Sequence, residues 1–84
     1  MPSKQILVVE DEPSIAETLV HVLSEQGFEA TRVATILEAR ETLGNNMYSA
    51  IVLDCGLPDG NGFDFCKEIR KTSEIPILFL TARS

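Results

Sequence analysis

The fold is decided at residues 50–62, which read AIVLDCGLPDGNG. Residues 50–53 are all apolar, as in a strand of a parallel sheet that is covered on both faces. The run ends at Asp54, and the glycines and proline that follow predict a loop. Gly60 and Gly62 are expected to supply turn geometry there, because their spacing lacks the rest of a nucleotide-binding fingerprint. We therefore predict a buried strand that ends on a carboxylate and opens into a loop.

The rest of the chain alternates between strand and helix patterns. Short apolar runs predict strands at residues 5–9 and 75–80, and a weak alternation of apolar and polar residues predicts another at residues 28–33. Apolar residues at three- and four-residue steps predict helices between them, over residues 14–26, 35–43 and 63–71. This alternation predicts an α/β fold in which a doubly wound parallel sheet carries helices on both faces.

Local signals mark the ends of the predicted helices. Pro13 suits a first helical turn, and Gly27 lies where a helix C-cap favours glycine. Thr35 and Glu38 have the spacing of a capping box. These residues predict both ends of the first helix and the start of the second.

Polar side chains follow the carboxyl ends of three predicted strands. Glu10 and Asp11 follow the first strand, Asp54 follows the third and Thr81 follows the fourth. In a doubly wound sheet these ends meet at one edge, where ligands bind. Clustered carboxylates repel one another unless a cation lies among them, and Mg²⁺ prefers oxygen ligands while leaving positions for a phosphate. The sequence therefore predicts a magnesium site beside a nucleophilic Asp54, with the Thr81 hydroxyl donating to a phosphate oxygen.

The composition narrows the class of protein. Thirteen acidic residues against seven basic ones give a formal charge of -6. Because this charge repels phosphate backbones and anionic lipid, we predict no direct nucleic-acid or membrane contact by this segment. The apolar run near the N-terminus is far too short for a signal or membrane segment, which predicts a cytoplasmic location. Cys55 and Cys66 lack CxxC spacing and are predicted to be buried or half-buried thiols.

The motifs of this chain, taken together, resemble the receiver domain of two-component response regulators. They are Glu10-Asp11, Asp54, the D-x-x-L-P-x-x-x-G run over residues 54–62 and the sequence LTAR at residues 80–83. The resemblance covers the whole chain, and the opening VVEDE with the ending TAR is most similar to the OmpR/PhoB type of winged-helix transcription factor. The resemblance implies a flavodoxin-like, CheY-like sheet with strand order 2-1-3-4.

The resemblance also implies roles for individual residues. Asp54 would accept a phosphoryl group from a sensor histidine kinase in a Mg²⁺-dependent reaction that switches a transcription-regulating output. Asp11 would bind Mg²⁺ directly, Glu10 through water and Gly56 through its backbone carbonyl, while Thr81 would be the switch hydroxyl. Such a chain is a phosphoacceptor rather than an enzyme, and DNA would be bound by a separate effector domain.

Receivers of this family extend beyond the pattern seen here. They continue through a fourth helix, a fifth strand and a fifth helix, and they carry a lysine after strand five and a switch aromatic on it. None of these is found in residues 1–84, which are therefore predicted to form the N-terminal part of a receiver, with the effector domain absent. Without the lysine ammonium, we expect phosphoryl transfer to Asp54 to be slower, or its product less stable.

Two other functions stay open at this point. One is a folded interaction module that does not accept phosphate, because the lysine is missing. The other is a haloacid-dehalogenase-like phosphatase, which also has an aspartate nucleophile at the end of a parallel strand. That family needs a second acid two residues later, and this position is Gly56.

The fourth predicted strand, residues 75–80, also bears on assembly. It is wholly apolar, so its outer edge has no charge to protect it once a fifth strand is absent. The missing helices would leave further apolar surface exposed. We therefore expect a homodimer or higher oligomer, formed by edge pairing of this strand or by exchange of an element between protomers.

Overall fold

The computed structural model describes residues 4–80, which form one four-stranded parallel sheet with flanking helices and a small two-stranded hairpin. The elements, in chain order, are β1 (Gln5–Val9), α1 (Pro13–Glu25), β2 (Glu29–Val33), α2 (Ile36–Asn45), β3 (Ala50–Asp54), β4 (Gly56–Leu57), β5 (Gly60–Asn61), α3 (Gly62–Arg70) and β6 (Ile77–Leu80). The predicted α/β class and the predicted alternation are confirmed.

The order of the strands is β2-β1-β3-β6, with every neighbouring pair parallel. This is the predicted order 2-1-3-4 of the four long strands. The order reverses between β1 and β3, so the carboxyl ends of these two strands flank the crevice where doubly wound sheets bind ligands. In the described residues, β1 and β3 are the two central strands.

The core lies on both faces of the central strands. Alternate residues point to opposite faces of a strand. One face contributes four fully buried residues that pack against α2 and α3, namely Leu7, Val9, Ile51 and Leu53. The other face of β1 carries the buried Ile6 and Val8, and α1 packs on this strand with Ala16 as its buried residue. Burial on both faces explains the continuous apolar run of β1, whereas β3 has one buried face and one face on which Val52 is half-buried.

The predicted helix ends are largely confirmed. Helix α1 has Pro13 at its start and ends before Gly27, whose φ of 92° is the left-handed conformation that glycine adopts at low cost. The Gly27 N–H donates to the Ser24 carbonyl at 3.0 Å. At α2, the Thr35 hydroxyl accepts from the Glu38 N–H at 3.1 Å, as the capping-box spacing predicted.

The structure differs from the sequence prediction at several element ends and in the loop after Asp54. Strand β2 begins at Glu29 rather than at residue 28, and helix α2 ends at Asn45 rather than near residue 43. The fourth long strand, β6, begins at Ile77 rather than at residue 75, although the Pro76 carbonyl still accepts from the Ile51 N–H at 2.9 Å. The loop after Asp54 contains the β4–β5 hairpin, which apolar periodicity could not show because each strand has two residues. The hairpin makes this loop a defined structure beside the end of β3.

The outer part of the sheet is less covered than its centre. Leu78 and Phe79 of β6 are 60% and 36% exposed among the described residues. Phe79 stacks on Phe63, which is 49% exposed, with the ring centroids 4.5 Å apart. Phe65, by contrast, is buried in the core.

The cysteines bear out one further expectation. Cys55 and Cys66 are free, half-buried thiols in the described residues, as predicted. Within residues 4–80, no helix has the length and apolar character needed to cross a membrane.

Candidate functional site

Three predicted carboxylates meet at the carboxyl edge of the sheet. Val9 pairs with Leu53, so the residues that follow β1 lie beside Asp54, the last residue of β3. Glu10, Asp11 and Asp54 each offer one carboxylate oxygen, and these three oxygens lie within 4.8 Å of one another. The predicted convergence is therefore observed for these acids. The fourth predicted site residue, Thr81, lies outside the described residues.

The three acids differ in burial. Glu10 is 1% exposed and Asp54 is 9% exposed, whereas Asp11 is exposed to solvent. The cluster is thus buried on the side of the sheet and open on the side of Asp11. Within residues 4–80, the side of Asp11 is the one that is open to an ion or a phosphoryl donor.

Glu10 has one carboxylate oxygen without a partner. Its Oε2 accepts from the Glu12 N–H at 2.9 Å, but its Oε1 is buried and has no hydrogen-bond donor within the described part of the chain. Burial raises the pKa of Glu10, the Glu12 hydrogen bond opposes that rise, and the charges of Asp54 and Asp11 add to it. A carboxylate that is buried without a full set of partners lowers the stability of the fold unless a cation compensates its charge. Three hard oxygen donors, one of them orphaned, fit Mg²⁺.

We predict that Glu10→Gln stabilises the metal-free protein at neutral pH. A carboxyl group whose pKa is raised by folding contributes stability that is fully present below its ordinary value of 4.5 and is lost as the pH rises through the folded-state pKa. The amide removes this loss and should raise the free energy of unfolding at pH 7 by on the order of 1 kcal/mol. Urea unfolding of the wild type and the variant between pH 4 and pH 8 measures this difference in the free energy of unfolding.

The control is Glu41→Gln, which makes the same charge change on an exposed face of α2. It should leave the pH dependence of stability unchanged. A fall in stability on Glu10→Gln at every pH would contradict our interpretation of the acidic cluster.

The turn that carries Glu10 and Asp11 is held by β2. The Glu10 N–H donates to the Val33 carbonyl at 3.0 Å, and Arg32 donates from Nε to the Glu10 carbonyl at 2.9 Å and from a terminal nitrogen to the Asp11 carbonyl at 3.1 Å. Sequence reasoning missed Arg32. A single arginine on a short strand gives no local signal, since its partners lie more than twenty residues earlier in the chain.

The loop after Asp54 is tied to the start of α2. The two Asp59 carboxylate oxygens accept from the Ile36 N–H at 2.8 Å and from the Leu37 N–H at 3.0 Å, and these hydrogen bonds lower the pKa of Asp59. Asp59 therefore caps α2 together with Thr35. The sequence showed the Thr35 cap, which is local, but not the Asp59 cap, which joins residues 22 and 23 positions apart.

Gly62 is required for a close approach of backbone to backbone, whereas Gly60 lies against the end of a side chain that can move. Neither has a positive φ, so the expected turn geometry does not depend on left-handed backbone at these positions. A Cβ at Gly60 would lie 2.8 Å from the Ile36 side chain. A Cβ at Gly62 would overlap the backbone carbonyl oxygen of Asp54 and lie 3.1 Å from the Cys55 Cα. The absence of a side chain at Gly62 thus lets α3 begin directly against the end of β3.

A family model described as the response regulator receiver domain matches residues 6–84 of the chain. Among curated proteins, the transcriptional regulatory protein CreB of Escherichia coli K12 is 36% identical over 85 aligned residues, which cover 100% of this chain and 37% of CreB. The chain spans about a third of the length of the curated relatives that it matches.

Solved structures give the same assignment. The receiver domain of the sensor histidine kinase PA1611 from Pseudomonas aeruginosa PAO1, with a magnesium ion coordinated in its active-site cleft, matches with a TM-score of 0.89 and 33% identity over 98% of this chain and 70% of that chain. The MaeR response regulator bound to beryllium trifluoride matches with a TM-score of 0.89 and 31% identity over 96% of this chain and 69% of that chain.

The chain therefore belongs to the response-regulator receiver family. Its relatives are regulators of the OmpR/PhoB type, as the motifs at both ends of the sequence indicated. Receivers are phosphoacceptor signalling modules rather than conventional enzymes, and the phosphatase and interaction-module alternatives are not favoured.

Proposed function

We propose that this receiver accepts a phosphoryl group on Asp54 from a sensor histidine kinase in a Mg²⁺-dependent reaction. The observation that carries the proposal is the cluster of three carboxylates within 4.8 Å, one of which has a buried oxygen without a partner. Asp54 is the member at the end of a central strand, where doubly wound sheets place ligands. It is also the aspartate that begins the D-x-x-L-P motif.

The proposed transfer needs little beyond positioning and charge compensation. A carboxylate oxygen of Asp54 attacks the phosphorus of a phosphohistidine, so that a P–O bond forms as the P–N bond breaks. The electron pair of the broken bond stays on the imidazole nitrogen, which takes up a proton. When bound, Mg²⁺ would neutralise negative charge on the phosphoryl oxygens and on the acidic cluster.

The roles of the other site residues are part of the proposal. Asp11, exposed at the open side of the cluster, would bind the ion directly, and the buried Glu10 would hold it through water. Gly56, in the hairpin strand that follows Asp54, would offer its backbone carbonyl. Thr81 would donate its hydroxyl to a phosphoryl oxygen.

We predict that Mg²⁺ binding depends on Asp11 and Asp54. A Mg²⁺ titration followed by amide chemical shifts should show residues 10–12 and 54–56 responding in the wild-type chain. Asp11→Asn and Asp54→Asn should each lower the affinity for Mg²⁺ by about 10-fold or more, because each removes one carboxylate from a small set of ligands. Glu41→Gln, an exposed carboxylate on α2, serves as the control. An unchanged Mg²⁺ response in both site variants would show that the ion binds elsewhere.

The wider setting of the module is also proposed. Several relatives are transcriptional regulators about three times as long, so we place residues 1–84 at the N-terminal part of a receiver in a cytoplasmic regulator. DNA would then be bound by a separate effector domain. This segment itself, with a formal charge of -6, is unsuited to a phosphate backbone.

We also propose that the isolated 84-residue chain associates with itself. In the described residues β6 pairs only with β3, and near its open edge the exposed Leu78 and Phe79 lie on opposite faces of the sheet, with Phe79 against Phe63 of α3. Pairing of two β6 edges about a two-fold axis would satisfy those backbone groups and cover the apolar side chains. Light scattering across a range of concentrations distinguishes this from a monomer.

A further inference from the structure

The acidic turn is clamped by one arginine from the neighbouring strand. Arg32, paired with Val8 in the parallel register of β1 and β2, reaches past the end of β1. Its Nε and a terminal nitrogen donate to two consecutive carbonyls, those of Glu10 and Asp11, at 2.9 and 3.1 Å. A planar guanidinium offers two donors in a fixed geometry, so the two carbonyls are held relative to each other as well as to β2.

The clamp matters most for Asp11. The Asp11 carboxylate is exposed, and its neighbour in the cluster is the Glu10 carboxyl, with which it can share a proton but no positive charge, so its position depends mainly on the backbone that carries it. That backbone has Arg32 on the carbonyl of Asp11 and on the carbonyl before it. On the other side, the Glu12 N–H is bound to Oε2 of Glu10, and Glu12 caps α1 by accepting from the Ser14 N–H at 3.5 Å.

We propose that Arg32 is a positioning residue for the cation site, holding the backbone of Glu10 and Asp11 so that their carboxylates meet Asp54. The inference rests on the proposed function in so far as it concerns Mg²⁺. Arg32 acts through backbone carbonyls and does not itself touch the ion. The loss of a residue that holds metal ligands in place typically lowers the affinity for the metal by roughly 10- to 100-fold.

Electrostatics alone makes the opposite prediction. Arg32 brings a positive charge to a site for a positive ion, so its removal should tighten Mg²⁺ binding by Coulomb's law. If Arg32 acts by positioning, its removal should weaken Mg²⁺ binding, because the loss of ordered ligands outweighs the loss of an exposed, solvent-screened charge. The sign of the change therefore separates positioning from a charge effect.

The experiment measures Mg²⁺ affinity, by chemical-shift titration, in the 84-residue chain and three variants. Arg32→Gln should weaken binding roughly 10-fold, and Arg32→Lys, which keeps the charge but lacks the two-pronged donor, should weaken it by a smaller factor. Arg70→Gln is the matched control, since Arg70 also donates to a backbone carbonyl, that of Ser73, but from the last turn of α3. Equal or tighter binding by Arg32→Gln would overturn the proposal, as would equal losses in the Arg70 control.

A second readout needs no metal. Amide hydrogen exchange in metal-free buffer should speed up at Glu12, whose N–H depends on the placement of Glu10, in Arg32→Gln but not in Arg70→Gln. If the wild-type chain binds no Mg²⁺, the proposed metal site is wrong. The exchange measurement alone then tests whether Arg32 holds the backbone of Glu10 and Asp11 in place. Faster exchange at Glu12 would then support the positioning role, and unchanged exchange would overturn it. Arg32→Lys carries the same test if Arg32→Gln does not fold.

Discussion

Gly62→Ala is expected to lower the free energy of unfolding by about 3 kcal/mol or more, enough to unfold much of a domain this small. The added Cβ would overlap the Asp54 carbonyl oxygen and press on the Cys55 Cα. Both are backbone atoms, so no side-chain rotation can relieve the overlap. The Gly62 N–H also donates to the Cys55 carbonyl at 2.8 Å, so α3 cannot move away without losing that hydrogen bond. Urea unfolding followed by circular dichroism measures the change.

Gly44→Ala is the matched control for this substitution. Gly44 lies in α2, and a Cβ there would have no heavy atom within 4 Å apart from its chain neighbours and the backbone of its own helix. Alanine favours helix over glycine by about 0.5–1 kcal/mol, so this variant should be slightly more stable than the wild type. A loss of similar size in both variants would show that the close approach at Gly62 is not the cause.

The second large effect concerns the phosphoacceptor. Asp54→Asn should abolish binding of beryllium trifluoride, the group bound in the MaeR structure, because an amide offers no anionic oxygen to the beryllium. The loss should be complete at concentrations that saturate the wild type in the presence of Mg²⁺. Fluorine and amide NMR report the bound state directly. A residual signal of wild-type size in Asp54→Asn would show that another residue is the acceptor.

A matched control keeps that result specific. Asp64→Asn makes the same chemical change in the first turn of α3, on an exposed residue outside the carboxylate cluster. It should bind beryllium trifluoride as the wild type does. Comparable losses in both variants would indicate a general effect of charge rather than a role for Asp54.

Local patterns in the sequence predicted the frame of this domain well. Continuous apolar runs predicted β1, which is buried on both faces, and β3, which is buried on one face and half-buried on the other. Gly27 marked the end of α1 because its backbone is left-handed. Glu10 and Asp54 were predicted to meet because parallel strands bring their carboxyl ends to one edge. Each of these inferences needs only neighbouring residues and the general geometry of a parallel sheet.

The contacts that shape the site were not predictable in this way. Arg32 clamps residues that precede it by 21 and 22 positions, and Asp59 caps a helix that begins 23 positions earlier. No periodicity or turn signal in the sequence predicts such pairs, because they depend on the conformation of the loops in the folded protein. The requirement at Gly62 is likewise tertiary, because it comes from the carbonyl of Asp54. The structure was needed to identify these residues.

The central claim is that Asp54 is the phosphoacceptor of a Mg²⁺-dependent receiver, and locating the phosphoryl group tests it most directly. The chain is incubated with acetyl phosphate, the acyl phosphate is trapped by borohydride reduction, and the modified residue is identified by peptide mass spectrometry. We predict modification of Asp54 that requires Mg²⁺ and is lost when the ion is chelated. Modification at another residue, or at Asp54 to the same extent without Mg²⁺, would contradict the account.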